Sequence, residues 1–315
     1  MIRPLKTIVV VACASLTAGA HAIELYSENF DVDPTANWTV NGSGTDILAD
    51  FNYNYSAIGV AAAPGSIGTT GLKLTANNSS GIFGGLSVSP NGESFTGNYR
   101  LTFNLWQNYV GPVGPGGCGT TQLSTFGVGT SGSTAVWPLA NPQNQIMFAA
   151  TLDGGSASDF RAYSSAAPTS YSSGNAVYAA PSTNGSDAYY SQFGGASAPA
   201  AQIALYPGQT GVTDPGELAF VWREVEIEVL DGNVTWSVDG LELATIALAD
   251  VTLSGGNIFF GHADTNSSSS ADPNDSTLNI TLIDNVLVES IVPEPASLAL
   301  LGLGGLTLLG RRRRA

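Results

Sequence analysis

The chain has 315 residues, with 25 Asp and Glu against 10 Lys and Arg and a formal net charge of −15. Six of the ten cations lie at the ends (Arg3, Lys6, Arg311, Arg312, Arg313 and Arg314), so residues 23–292 keep only Lys73, Arg100, Arg161 and Arg223 against 24 acidic residues. This balance excludes non-specific nucleic-acid binding, which needs clustered Lys and Arg on phosphates, and suits cation binding or solubility outside the cell.

At the N-terminus, Arg3 and Lys6 form a basic region, Thr7 to Ala18 an apolar one, and Ala20-His21-Ala22 a small-x-small cleavage site. This pattern predicts a signal helix, residues 1–22, removed to give a mature start at Ile23. Cys13 has too few apolar residues before it for a lipobox, so lipidation is not expected. Once Cys13 and His21 are lost, Cys118 is the single cysteine and His262 the single histidine. There is then no internal disulfide, no His pair for zinc, no phosphate loop and no Gly-x-Ser-x-Gly elbow.

Along the body, apolar residues recur with period 2 and turn residues recur at short intervals, which predicts an antiparallel sandwich of residues 23–290. Tyr99, Leu101, Phe103 and Leu105 alternate with Arg100, Thr102, Asn104 and Trp106, giving a strand with one core face. From Gly111 to Pro215 small residues dominate, and short strands are expected at Leu123 to Val128, Ile146 to Leu152 and Phe160 to Tyr163. The long Gly/Ser/Ala-rich connections of residues 107–215 are read as loops of the same sandwich, with a disordered insertion at 165–200 as the alternative. Next, Val225, Ile227 and Val229 alternate with Glu224, Glu226 and Glu228. Asp231-Gly232 and Asp239-Gly240 supply two tight turns, through Val234 to Val238 and into Leu241 and Leu243. Ile258 to Gly261 and Leu278 to Val288 close the sheet.

Several of these residues resemble the laminin-G-like, concanavalin A-like jelly roll. They are Trp222, the Glu224 to Val229 strand, Ser237-Val238-Asp239-Gly240 and the late strand Ile283-Asp284-Asn285-Val286. Ser27 to Asp31, followed by Trp38-Thr39-Val40, is similar to the first strand of such domains, which pairs with the last. The resemblance implies an all-β antiparallel jelly roll flanked by the signal helix and a short C-terminal apolar helix. It does not fix a function, because many activities share such folds.

Three candidate sites follow from the residues. Tyr189 and Tyr190, among the aromatics of the 163–193 region, could stack on sugar faces, or could pin the long loops to the sandwich with their hydroxyls bonded at the surface. Calcium, a hard cation with oxygen ligands, has two candidate places. One combines Glu28 and Asp31 or Asp33 with Asp284, if the first and last strands are neighbours; the other is the loop of Asp264, Asn266, Asp272, Asn274 and Asp275. Finally, Glu224, Glu226 and Glu228 resemble the Glu-x-Asp-x-Glu core of laminarinase-type glycosidases. The central residue departs from that pattern, and the default for such a strand is a solvated charged face.

The chain closes on Val292-Pro293-Glu294-Pro295, an apolar run from Ala296 to Leu309, and Arg311 to Arg314. A helix of 14 residues reaches about 21 Å against a hydrocarbon core of about 30 Å, so it enters a bilayer but spans it poorly. The arginines stay cytoplasmic and place the body outside. The two prolines hold the residues around Glu294 extended.

This tail, residues 291–315, resembles the PEP-CTERM sorting signal of Gram-negative bacteria. The resemblance implies recognition of Pro293, Glu294 and Pro295 by an exosortase, a membrane cysteine protease that cleaves nearby. It also implies transient insertion of the apolar helix in the inner membrane and delivery to the outer surface or extracellular matrix. The sequence therefore predicts an exported, non-enzymatic cell-surface or matrix protein with exosortase and exopolysaccharide as partners. The alternatives are a secreted polysaccharide hydrolase using Glu224 and Glu228, or an envelope protein whose tail anchor is never cut.

Overall fold

The computed structural model describes residues 22–43, 46–77, 84–111, 121–140, 143–265 and 272–291. The signal region, the sorting tail and Cys118 lie outside them, as do both expected terminal helices. Residues 23–291 form one compact unit.

The strands, in chain order, are β1 (Glu24–Glu28), β2 (Trp38–Ser43), β3 (Ile47–Asn54), β4 (Thr70–Ala76), β5 (Gly84–Pro90), β6 (Tyr99–Asn108), β7 (Gln122–Thr130) and β8 (Ile146–Thr151). They continue as β9 (Phe160–Tyr163), β10 (Ala196–Ser197), β11 (Val212–Thr213), β12 (Arg223–Leu230), β13 (Asn233–Val238), β14 (Leu241–Ala247), β15 (Asn257–Asp264) and β16 (Ile280–Ser290). Among the described residues the α-helices are two and short, α1 (Ala200–Leu205) and α2 (Asp275–Leu278), with short 3-10 helices between other strands.

These strands make an antiparallel jelly-roll sandwich. The larger sheet runs β14-β13-β12-β6-β16-β4-β3, with β1 alongside β16; the smaller runs β2-β5-β15-β7-β8-β9. β10 and β11 pair separately with each other. The first and last strands are neighbours as expected, Ser27 facing Leu287 and Glu28 facing Val286. Trp38 to Val40 is not part of that first strand: residues 29–37 cross over, and Trp38 begins β2 at the edge of the other sheet.

The Asp-Gly turns account for the β12-β13-β14 meander. Asp231 and Gly232 have φ of 49° and 82°, and Asp239 and Gly240 have 48° and 77°. Positive φ at both central positions is the primed turn, whose twist matches its flanking strands.

Alternation along β6 and β12 turns Leu101, Phe103, Val225 and Ile227 inward, where they meet Phe126, Phe148 and Phe260 of the smaller sheet. Phe103 contacts Phe260 edge-on at 4.9 Å between centroids, and Trp236 stacks on Phe148 at 5.2 Å. Such pairs add about 1 kcal/mol each beyond area burial.

The outer face of the larger sheet is covered at one end only. Trp106 and Leu282, directly opposed in the β6–β16 ladder, pack outside the sandwich against Tyr55, Ile58, Phe220 and Leu278. The 3-10 helix Tyr55–Ile58, helix α1 and residues 218–222 form this cap. Beyond it the outer face is open.

Candidate functional site

The open part of that face holds a groove of about 580 Å³, bounded by Glu224, Thr102, Asn104, Asn285, Leu287 and Ser27, with Pro64 and Gly65 along one wall. Strand register builds its floor in rows. Glu226 faces Thr102, Thr102 faces Leu287, and Leu287 faces Ser27. One row along, Glu224 faces Asn104. Opposed residues project from the same side of a sheet, so these form one surface.

Further along, Arg100 lies 3.6 Å from Glu226 and 3.5 Å from Glu289. Burial raises the Glu226 carboxyl; Arg100 pulls it down, while Glu228 and Glu224 push it up. At this exposure each ion pair is worth under about 1 kcal/mol.

The groove exists because β16 carries a bulge. Asp284 faces Asn104 and Leu287 faces Thr102, so two residues of β16 oppose Phe103 alone. Asn285 takes φ of 51°, a left-handed conformation that Asn tolerates better than most residues. Its Nδ2 points at Pro64 O (3.0 Å), Ser66 Oγ (2.8 Å) and Asn104 Oδ1 (2.8 Å). The bulge thereby ties the 64–66 loop to the sheet and fixes the wall. Sequence reasoning singled out none of Thr102, Asn104 and Asn285 as groove residues. The Asp284-Asn285 pair within an apolar strand was the available signal.

Asp284 sits just beneath. Its Oδ2 accepts hydrogen bonds from Tyr55 OH (3.0 Å) and Ser66 Oγ (2.7 Å), and its Oδ1 from the Asn285 N–H (2.7 Å). Burial raises its carboxyl, the three donors lower it, and Asp31 is near enough to push it up again. Asp31 in turn accepts from Thr70 Oγ1 at 3.2 Å and from Asn29 Nδ2 at 3.1 Å. Of the first-place calcium candidates, Asp31 and Asp284 are near enough for the charge of one to act on the other. Glu28 does not join them: its Oε1 accepts the N–H of Phe30, which has positive φ. Asp33 is also turned to its own loop, accepting from Thr35.

Among the described residues, no group of three or more His, Cys, Asp or Glu gathers to hold a metal. In the second candidate loop, Asp264 is buried and accepts from Asn77 and Thr121, while Asp272 caps the N–H of Asn274. Asn266 and the Asp275 side chain lie outside the described residues.

The tyrosine region is ordered and closes one side of the sandwich. Residues 177–179 bond to the outer edge of β14, Ala179 N–H to Leu243 O at 3.1 Å and Thr245 N–H to Val177 O at 2.7 Å. Tyr178 OH donates to Tyr171 O and accepts from Ala162 N–H, both at 3.0 Å.

Tyr190 is fully buried, 4.4 Å from the Phe160 ring, with its OH donating to Ser182 O at 2.8 Å. It offers no face to a sugar, so that expectation is corrected: burial of its ring displaces more apolar area than exposure would. Tyr189, half-buried, stands edge-on to Tyr190 and donates to Glu242 O at 2.8 Å.

On the outer face of β12, Glu224 is exposed and Glu226 and Glu228 are half-buried. Glu224 and Glu228 stand four residues apart on one face of β12, the i, i+4 spacing of the pattern they resemble, with Glu where that pattern has Asp at the centre. Glu226, between them, is engaged by Arg100.

Three polar groups, two buried and one half-buried, were not anticipated. Glu217, half-buried beside Asp153, Asp159 and Asp214, is raised to about 8, first by burial and then by these charges. Asp159 is raised to about 6 by burial, although Gly185 N–H, Thr151 Oγ1 and Ser156 N–H donate to it. His262 is completely buried between the sheets, its ring nitrogens 2.9 Å from Thr281 Oγ1 and 3.1 Å from Gln122 Oε1, and desolvation lowers it to about 3.

Among solved structures, the chain is similar at low identity to galectin-like, lectin-domain and glucanase structures. A Bacillus subtilis protein of unknown function with a galectin-like fold is similar at 12% identity and a TM-score of 0.40, covering 87% of this chain and all of that one. The exoplasmic/lumenal domain of VIP36 in its Ca2+/Man-bound form gives 10% identity, 87% and 93% coverage and a TM-score of 0.45. A Bacillus licheniformis β-glucanase gives 12% identity, 85% and 98% coverage and 0.39. No curated protein sequence matches. The particular assignment comes from the tail: residues 292–314 match the PEP-CTERM protein-sorting motif. A chain bearing this motif is a secreted, envelope-targeted bacterial protein sorted by an exosortase.

Proposed function

We propose that this is a non-enzymatic surface or extracellular-matrix protein of a Gram-negative bacterium, handed over by exosortase cleavage near Pro293-Glu294-Pro295. In this reading the sandwich binds polysaccharide along the groove over Thr102 and Asn104. The observation that carries the reading is the match of residues 292–314 to the sorting motif. The groove supports its second half: it is open, fixed by the Asn285 bulge, and lined by amide, hydroxyl and carboxylate groups of the kind that bond sugar hydroxyls.

Two experiments test it. Removing residues 292–315 should abolish retention of the body at the cell surface or matrix; unchanged retention sinks the sorting role. In pull-downs on the host's polysaccharides, Thr102→Tyr should plug the groove and lose binding, while Tyr189→Ala should keep it. The opposite pattern returns the site to the tyrosines.

Calcium belongs to this proposal at Asp31 and Asp284. A rise in Tm with calcium that disappears in Asp284→Asn supports it, and a flat titration removes calcium from the reading. Hydrolysis by Glu224 and Glu228 is the less favoured reading, because the central residue is Glu226 in place of an aspartate and is paired with Arg100. Activity on β-glucans that vanishes in Glu224→Gln would restore it.

A further inference from the structure

The two ends of the sandwich are held in one corner of one sheet, and the sorting motif follows with no spacer. The N–H of Ile23 donates to Ser290 Oγ at 3.0 Å, and the N–H of Ser290 donates to Ile23 O at 2.8 Å. The N–H of Ile291 donates to Asn98 O at 3.0 Å. On the other side of β16, Val288, Glu289 and Ser290 face Leu101, Arg100 and Tyr99 of β6. The ladder is therefore closed through residue 291, and the motif match begins at residue 292.

An enzyme that takes a peptide as an added strand needs that peptide's main-chain N–H and C=O groups. Upstream of Pro293 these groups already serve the sheet, and Val292 alone extends the chain by only about 3.4 Å.

We propose that the β1–β16 pair is a processing clamp: cleavage beside Pro293-Glu294-Pro295 requires the last residues of β16 to leave the sheet. Tail removal then runs either before β1 docks or through its local opening. This rests on the reading that the tail is cut. β1 is the partner suited to yield. It has five residues, largely exposed, pairs among the described strands with β16 alone, and its register shifts between Glu24 and Tyr26. Short edge elements with few buried contacts open at low free energy.

The test uses the full chain in a host carrying the exosortase, in a Cys118→Ser background. Glu24 and Glu289 are Cα partners across the pair, at a separation that a disulfide spans. Glu24→Cys with Glu289→Cys should close the clamp after export and slow loss of the arginine tail by about tenfold or more. Reductant should reverse the block. So should insertion of Gly-Ser-Gly-Ser between Ile291 and Val292.

Tail loss at the parent rate from the oxidised variant overturns the clamp, as does a block that neither reductant nor the insertion relieves. As a check independent of the disulfide, the same insertion in the wild-type chain should speed processing, and an unchanged rate also overturns the proposal. A wild-type chain that keeps its arginines at the surface overturns the cleavage reading itself, whatever the lock does.

Discussion

Residues 164–193 and the groove over Thr102 both lie on the flanks of the same sheets, yet one is closed with aromatic rings and the other left open with amides and carboxylates. In the first, Tyr178 and Tyr190 turn their rings inward and use their hydroxyls on loop backbone. In the second, the bulge at Asn285 ties the 64–66 loop to the sheet as a wall beside an accessible polar floor. Aromatic residues in a loop therefore mark packing here, and ligand access follows the backbone irregularity.

The comparison breaks most sharply at Tyr190. Tyr190→Ala removes a buried ring and should cost about 3–4 kcal/mol in urea unfolding, with glycan retention unchanged. Loss of retention without loss of stability would reverse the roles of the two regions.

Next in size is an acid effect at His262. Its folded-state pKa, about 3, lies below the unfolded value. The unfolded chain therefore binds the extra proton, and stability falls as pH drops from about 6.5 toward 3, by up to about 1.4 kcal/mol per unit. A His262→Gln chain should lose that slope. An unchanged pH profile would show that His262 is not the group responsible.

Glu217 has the opposite sign. Its raised pKa, about 8, means the folded state holds the proton, so stability falls as pH climbs from about 4.5 to 8. Glu217→Gln should gain about 1–2 kcal/mol at pH 8, a figure reduced for its partial solvent screening, and nothing near pH 4.5. A destabilised variant at pH 8 would mean the carboxylate makes a contact of net value there.

The smallest effect is expected beside the groove. Arg100→Gln, which removes both exposed ion pairs, should change stability by less than about 0.5 kcal/mol. A larger loss would mark the acidic face as a structural network.

Much of this was legible in the sequence where strands bury one face and turns need special residues. Tyr99 to Trp106 alternates cleanly, and Asp231-Gly232 and Asp239-Gly240 adopt the positive φ their types suggest. The strands β4 and β5 were not anticipated, because nearly every residue in each is buried on both faces and no alternation remains to read. β3 was missed too, since its pairing shifts between Asp50 and Tyr53.

The groove was illegible for a different reason: it depends on Asn285 meeting Pro64 and Asn104, some two hundred residues away in sequence. For the tyrosines, sequence could pose the choice between platform and pin, but only the position of Phe160 decides it for Tyr190.

The central claim is that the body is delivered through its C-terminal motif. Intact-mass measurement of the protein recovered from the outer surface or matrix tests this most directly. The expected mature chain begins at Ile23 and ends near Pro293-Glu294-Pro295, without Arg311 to Arg314. An exported chain that still carries the four arginines would contradict it.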